Sequence, residues 1–105
     1  MKISYSDILF EVRFRGLLIV PSLSAYRELE ELALDLNDVK DVLENGRETS
    51  SPRKPSVVEK IVRRDGKALR AVVVRDFNGF LSQDVFVVTH VSIHAWNEKM
   101  LKVEG

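Results

Sequence analysis

The fold is decided by residues 57–93, which read VVEKIVRRDGKALRAVVVRDFNGFLSQDVFVVTHVSI. Apolar and polar side chains alternate along much of this stretch, and a period of two residues is typical of β-strands. Asp65-Gly66 is a strong signal for a tight hairpin turn, and residues 76–79 are rich in turn-forming side chains. The pattern predicts a three-strand antiparallel meander over about residues 57–93.

The last strand of the meander divides its side chains between two faces of the sheet. Its odd-numbered residues are predicted to face the helices: Val85, Val87, Thr89, Val91 and Ile93. Its even-numbered residues are predicted to share an uncovered face with those of the preceding strand. Four apolar side chains on that face form a candidate interface: Val72, Val74, Phe86 and Val88. Such a patch needs a cover, which could be the C-terminal tail, a second copy of the chain or a ligand.

The residues before the meander predict a hairpin and two helices. Alternation over about residues 8–20 indicates two short strands that turn at Arg15-Gly16. Apolar residues at helical spacing over about residues 23–45 indicate two short helices. Each helix has candidate capping residues: Ser22 or Ser24 for the first, and Asp35 or Asn37 for the second. Gly46 is predicted to end the second helix in a left-handed conformation.

These elements predict one domain over residues 1–105. Its fold class is α+β, with two short helices packed on one face of a four- to five-stranded, mainly antiparallel sheet. Residues 46–56 form a polar loop with two prolines, and the sequence does not define whether it is ordered. The C-terminal tail, residues 95–105, contains Trp96 and can form either a helical turn or a strand.

The composition excludes several classes of protein. The chain has no cysteine, which excludes disulfides and thiolate metal sites and favours a cytoplasmic location. Its longest apolar run, residues 17–20, is too short to cross a bilayer, and residues 1–7 lack the long apolar stretch and small-residue cleavage site typical of a signal peptide. We therefore expect no membrane association. No motif for a nucleotide, a metal or a cofactor is present, so no cofactor is predicted.

The net charge of zero hides an uneven distribution of charge. Residues 24–46 contain seven acids and two bases, whereas residues 47–75 contain nine bases and three acids. An acidic helical side and a basic sheet side would follow, and the basic side could bind the phosphates of RNA. The candidate nucleic-acid-binding residues are Lys60, Arg63, Arg64, Lys67 and Arg75. Solvated charges around a turn are the simpler interpretation of the same residues.

His90 is the candidate catalytic residue, because imidazole exchanges protons near neutral pH. Arg70 on the neighbouring strand is predicted to accompany it and to stabilise negative charge on a phosphate. A histidine hydrogen-bonded for structural reasons is the more frequent alternative. His94 follows four residues later, about 13 Å away on a strand, which is too far for a shared metal ion.

A segment at the end of the second helix carries a family resemblance. Residues 38–46 read Asp-Val-Lys-Asp-Val-Leu-Glu-Asn-Gly and precede a meander that closes on Val87-Val88-Thr89. Over residues 24–92 this arrangement resembles BrnT-type toxins and the wider RelE-like superfamily. The resemblance implies a ribonuclease fold that cleaves RNA on a basic sheet surface without a metal, and an antitoxin partner. Relatives often carry a histidine near the start of the first helix, where this chain has Ser24-Ala25-Tyr26, and no catalytic residue is transferred.

The sequence thus predicts a small cytoplasmic domain that binds RNA, with toxin-like, metal-independent endoribonuclease activity. The alternative is a non-catalytic protein-interaction module or homodimer, joined through the uncovered sheet face. A third interpretation is a small-ligand pocket between the helices and the long loop. Whether the chain is an enzyme stays open at this point.

Overall fold

The computed structural model describes residues 12–49 and 55–95. The elements in chain order are β1 (Arg13–Phe14), β2 (Leu17–Pro21), α1 (Leu23–Glu31), α2 (Leu36–Asn45), β3 (Arg47–Glu48), β4 (Val57–Arg64), β5 (Lys67–Asn78) and β6 (Gln83–Ala95). Three predicted regions fall wholly or partly outside the described residues: the start of the N-terminal hairpin, the centre of the polar loop, and the C-terminal tail from Trp96 onward.

The six strands form one mixed sheet in the order β1-β2-β6-β5-β4-β3. Neighbours are antiparallel except β2 and β6, which are parallel. The predicted α+β class with two helices against a mainly antiparallel sheet is confirmed, but the sheet has six strands rather than four to five, and one parallel pair makes it mixed. After β2 the two helices carry the chain to the far edge of the sheet at β3. The antiparallel meander of β4, β5 and β6 then crosses the sheet back to β2. There β6 runs in the same direction as β2.

The two predicted hairpin turns form at the expected dipeptides. Arg15 and Gly16 have φ values of 51° and 81°, and Asp65 and Gly66 have φ values of 54° and 76°. Two successive positive φ values are the geometry of the tight turn whose twist matches that of the flanking strands. Asp65 tolerates this left-handed conformation better than most residues do.

Both helices begin at residues that the sequence identifies as caps. The Ser22 hydroxyl accepts a hydrogen bond from the Ala25 N–H at 3.1 Å. Asp35 and Asp38 form a reciprocal capping box at the start of α2, with distances of 2.9 and 3.0 Å. In the part of the chain that the structure describes, neither helix is long and apolar enough to cross a bilayer.

Gly46 ends α2 for a different reason from the predicted one. Its φ is −78° and its ψ is 169°, which is extended backbone rather than the left-handed conformation. A Cβ atom at this position would lie 2.4 Å from the Val42 carbonyl oxygen and 2.8 Å from the Ile61 carbonyl oxygen. Glycine is therefore required by the close approach of α2 to β4, and the predicted left-handed end is wrong.

The main core lies between the two helices and one face of the sheet. Phe14 and Phe86 meet at its centre, with ring centroids 5.5 Å apart and planes tilted by 54°. This geometry is favourable for an aromatic pair. The core consists of Phe14, Ile19, Ala25, Leu29, Val39, Val42, Leu43, Leu69, Ala71, Val73, Phe86, Val88 and Val91.

A β-bulge at Thr89 breaks the alternation of side chains along β6. The register between β5 and β6 shifts by one residue there, and an extra residue in one strand exchanges its two faces. Phe86 and Val88 consequently belong to the main core, and their predicted place on an uncovered face is wrong. Val91, beyond the bulge, also belongs to the core, as predicted.

The other face of the sheet carries buried apolar side chains as well. Leu18, Ile61, Val72 and Val85 are buried although they lie outside the main core. Of the four side chains predicted to form an interface, three are buried within the single chain and Val74 is half-buried. The predicted exposed apolar patch is therefore absent at these four positions.

Candidate functional site

Strand β6 has a strand neighbour on both sides along only part of its length. β2 pairs with residues Val85 to Val88 and ends at Pro21. The next residue, Ser22, donates its N–H to the Val88 carbonyl at 2.9 Å and caps α1. The chain then continues as α1, so that none of the described strands pairs with this edge of β6 beyond Val88.

The Glu28 carboxylate of α1 occupies this gap beside β6. Its Oε1 accepts a hydrogen bond from the Val91 N–H at 3.0 Å, and its Oε2 lies 2.8 Å from Nδ1 of His90. A backbone N–H at a strand edge requires an acceptor, which the carboxylate supplies in place of a strand carbonyl. Because both oxygens are engaged, the imidazole ring is held in one orientation relative to α1.

This contact favours one of the two neutral tautomers of His90. An ionised carboxylate can only accept a hydrogen bond, so a neutral ring at this distance is favoured with its proton on Nδ1 and a lone pair on Nε2. Within residues 12–49 and 55–95, no hydrogen bond engages Nε2. The side chain is 39% exposed. A carboxylate that orients an imidazole in this way prepares Nε2 to act as a general base.

The bulge at Thr89 lies directly next to this pair. The Thr89 hydroxyl donates to the Val72 carbonyl at 3.3 Å, while Val88 and Val91 on either side both enter the core. Bulges commonly redirect a side chain beside a functional site. Here the bulge immediately precedes His90, which pairs with Val72 of β5 and whose ring contacts Glu28 of α1.

The predicted pair of His90 and Arg70 is not among the contacts of the described residues. Nε of Arg70 lies 3.7 Å from Oε2 of Glu59, a carboxylate whose side chain is only 1% exposed. A buried carboxylate needs a compensating charge, and Arg70 supplies it. Arg70 therefore has a structural role in this geometry, whereas His90 is engaged by Glu28.

The predicted separation into an acidic side and a basic side is partly cancelled by contacts between them. Nη1 of Arg64 lies 3.3 Å from Asp38 and Nη2 lies 3.1 Å from Asp41, both on α2. Arg75 pairs with Asp84 on the neighbouring strand at 3.0 Å. Two of the five candidate RNA-binding cations are thus engaged by carboxylates.

The other three cations lie along β4 and at the start of β5. Lys60 is half-buried, and Arg63 and Lys67 are exposed on either side of the hairpin turn. In the described part of the chain, neither Lys60 nor Lys67 forms an ion pair. Lys67 is thus exposed and forms no ion pair with a described residue, which leaves its charge available to an anionic ligand.

An open cavity of about 220 Å³ lies near the end of β6. Three apolar side chains come from the α1–α2 connection, β5 and β6, and three charged ones come from the end of β4, the hairpin turn and the start of β5. The lining residues are Leu34, Leu69, Ile93, Arg64, Asp65 and Lys67.

His94 is not part of the Glu28–His90 pair. Its Nε2 lies 2.7 Å from the Ser92 hydroxyl, and its side chain is exposed. Among the residues that the structure describes, no group of three or more histidine, aspartate and glutamate side chains could hold a metal ion.

Sequence reasoning did not pair Glu28 with His90, because Glu28 is one of several acids on a helix. Its position carried a weak signal: Glu28 lies between Ala25 and Leu29, both fully or nearly fully buried. An acid on the border of an apolar stripe is close enough to the sheet to reach a strand edge. The identity of its partner could not be read from the sequence.

Comparison with known protein families, with curated proteins and with solved structures found no match for this chain. The resemblance to BrnT-type and RelE-like toxins therefore stays a prediction.

Proposed function

We propose that this protein cleaves single-stranded RNA without a metal, with His90 as the general base and Glu28 as the residue that positions it. The observation that carries the proposal is the 2.8 Å contact between Glu28 and Nδ1 of His90. The His90 side chain is 39% exposed, and no hydrogen bond from the described residues engages Nε2. The cytoplasmic location, which the lack of cysteine favours, and the antitoxin partner, which the toxin resemblance implies, belong to the same proposal.

The proposed reaction is a transesterification at phosphorus. Nε2 of His90 takes the proton of a ribose 2′-hydroxyl, and the 2′-oxygen forms a bond to the adjacent phosphorus. The bond from phosphorus to the 5′-oxygen breaks, and that oxygen takes a proton from the imidazolium or from water. The products are a 2′,3′-cyclic phosphate and a 5′-hydroxyl, with no oxidation or reduction.

The Glu28 carboxylate contributes in two ways. It maintains the tautomer that keeps Nε2 available, and it stabilises the imidazolium that forms when the proton is transferred. Exposed Lys67 supplies positive charge for the phosphates of the bound strand. Arg70 is left out of the catalytic set, because it is the counter-charge of buried Glu59.

The test compares wild-type protein with His90→Gln and Glu28→Gln on single-stranded RNA of mixed sequence in the presence of EDTA. Loss of a general base lowers a rate by about 100-fold or more, and we expect this for His90→Gln. Glu28→Gln should lower the rate less. His94→Gln is the matched control, since His94 lies outside the pair, and it should cleave as wild type does.

Mass spectrometry of the cleaved ends should detect the 2′,3′-cyclic phosphate. RNA that stays intact in every sequence context would contradict the proposal. An undiminished rate for His90→Gln would also contradict it, since the cleavage would then come from another source.

The alternative of a homodimer through Val72, Val74, Phe86 and Val88 has no comparable support. Three of these side chains are buried within the single chain, so that their burial does not depend on a second copy. Light scattering that shows a monomer at high concentration is the expected result.

A further inference from the structure

The outer end of β6 carries backbone groups that have no strand neighbour on one side. Successive residues of an antiparallel strand point their N–H and C=O groups alternately toward the partner strand and away from it. Val91 donates its N–H to Glu28 and therefore points away from β5. Ile93, two residues later, points the same way. Among residues 12–49 and 55–95, no group forms a hydrogen bond with Ile93 at this open edge.

This end of the strand is accessible from outside the molecule. The Ile93 side chain is 39% exposed, and His94 and Ala95 are exposed as well. Water can therefore reach the N–H and C=O of Ile93. A strand from another molecule could displace this water and bond to the same two groups.

The outermost described strands of the sheet are protected against such pairing, whereas this edge is not. β1 and β3 are each two residues long, and they contain the charged residues Arg13, Arg47 and Glu48. Short strands and charged side chains discourage the addition of another strand. Residues 93–95 read Ile-His-Ala, with no proline, lysine or acid. The open edge of β6 therefore lacks the features that protect the other edges.

The cavity of about 220 Å³ offers space for one side chain of an added strand. A residue opposite Ile93 on such a strand would have its side chain on the same face of the sheet as Ile93. On that face Ile93, Leu34 and Leu69 form the apolar part of the cavity lining. A large apolar side chain opposite Ile93 would thus lie at the mouth of the cavity.

We propose that the outer end of β6 binds an extended peptide segment of another protein. The segment adds an antiparallel strand at Ile93 and places a large apolar side chain in the cavity. Main-chain hydrogen bonds supply affinity in this mode of binding, and the pocket supplies selectivity. The open edge has only three described residues, 93–95, whereas a stable interface between folded proteins buries about 1,000 Å² or more. A short linear segment therefore fits this edge better than a second copy of the chain.

Peptide binding at this edge goes beyond the proposed ribonuclease activity and does not require it. The probe is a short, soluble, threonine-rich peptide with one central phenylalanine and blocked termini. It is added to wild-type protein while amide NMR signals are followed. We expect shifts at Ile93 and Leu34 and slower hydrogen exchange at the Ile93 amide. The same peptide with a central alanine should bind about tenfold more weakly, because the cavity stays unfilled.

Two methylated peptides test the strand pairing without any change to the protein. In the antiparallel arrangement, the phenylalanine opposite Ile93 directs its own N–H toward β6, and the next residue directs its N–H away. N-methylation of the phenylalanine amide should abolish binding. N-methylation of the next amide is the matched control and should preserve it. Equal binding of the two methylated peptides would overturn strand addition.

Variants of the protein test the same contacts from the other side. Ile93→Pro removes the N–H at the open edge but no hydrogen bond to β5, a position at which strands tolerate proline, and it should abolish peptide binding. Ile93→Ala keeps the N–H and should weaken binding about fivefold, since part of the apolar contact is lost. His94→Ala is the matched control, because the His94 side chain lies on the other face, and it should bind the peptide as wild type does.

The occupant of the edge is tested by hydrogen exchange in protein without peptide. Protection of the Ile93 amide that increases with protein concentration would assign the edge to a second copy of the chain. Protection that is independent of concentration would assign it to another segment of the same chain. Either result would overturn binding of a partner peptide, as would the absence of any shift at Ile93 on addition of the phenylalanine peptide.

Discussion

The two halves of strand β6 are held in place by different groups. From Val85 to Val88 the strand lies between β2 and β5, and Phe86 and Val88 pack in the main core. From Thr89 to Ala95 only β5 pairs with it among the described strands, and a carboxylate takes the place of a second strand at Val91. Because β2 ends early, one edge of β6 has no strand neighbour beyond Val88, and a side chain of α1 takes the place of a strand there. The candidate site forms at this edge.

The stability of the protein should depend more on side chains in the half from Val85 to Val88 than on those in the half from Thr89 to Ala95. Phe86→Ala removes a buried ring that contacts Phe14, and we expect the free energy of unfolding to fall by about 3–5 kcal/mol. Urea denaturation measures this change. Phe77→Ala is the matched control, because Phe77 is exposed and substitutions at exposed positions change stability by about 0.5 kcal/mol or less. Equal effects of the two substitutions would contradict the observed assignment of faces.

In the half from Thr89 to Ala95, loss of the Glu28 carboxylate should affect the exchange of one amide more than the stability of the whole fold. Glu28→Ala removes the acceptor of the Val91 N–H and the partner of His90. We expect a loss of about 1–3 kcal/mol in the free energy of unfolding, the usual cost of an unsatisfied group. Hydrogen exchange should become faster at the Val91 amide. Glu31→Ala, an exposed position on the same helix, should leave that exchange rate unchanged.

The smallest expected effect is at the outer end of β6. Ile93→Ala should lower the free energy of unfolding by less than about 1 kcal/mol, because the side chain is already partly in solvent. Val91→Ala, two residues earlier in the buried core, should cost about 2 kcal/mol, since about 0.8 kcal/mol is lost for each buried methylene group. A larger loss of unfolding free energy for Ile93→Ala than for Val91→Ala would contradict the assignment of Val91 to the core.

Local features of the fold could be predicted from the sequence, because they depend on neighbouring residues. The turns at Arg15-Gly16 and Asp65-Gly66 follow from the positive φ that these dipeptides permit. The caps at Ser22 and Asp35 follow from side chains that satisfy free N–H groups at helix starts.

Non-local features could not be predicted in the same way. The parallel pairing of β2 with β6 joins segments more than 60 residues apart and leaves no periodic signal of its own. The bulge at Thr89 is one extra residue in a regular alternation, and no glycine or proline marks it. An error of one residue exchanges the two faces of a strand, so Phe86 and Val88 were assigned to the wrong face.

The candidate site shows the same difference between local features, which could be predicted, and non-local ones, which could not. His90 was predicted from its own chemistry, since its side chain suits acid–base catalysis. Its partner was predicted from strand position as Arg70, whereas the structure engages His90 with Glu28 of α1. Glu28 is 62 residues earlier in the chain, and only the end of β2 and the bulge bring the two side chains together.

The central claim is that Glu28 fixes the tautomer of His90 and leaves Nε2 available as a base. Nitrogen NMR of the labelled imidazole ring, at a pH where the ring is neutral, tests this claim most directly. We predict a proton on Nδ1 in the wild-type protein and a change of tautomer in Glu28→Ala. A wild-type ring that carries its proton on Nε2, unchanged by Glu28→Ala, would contradict the account.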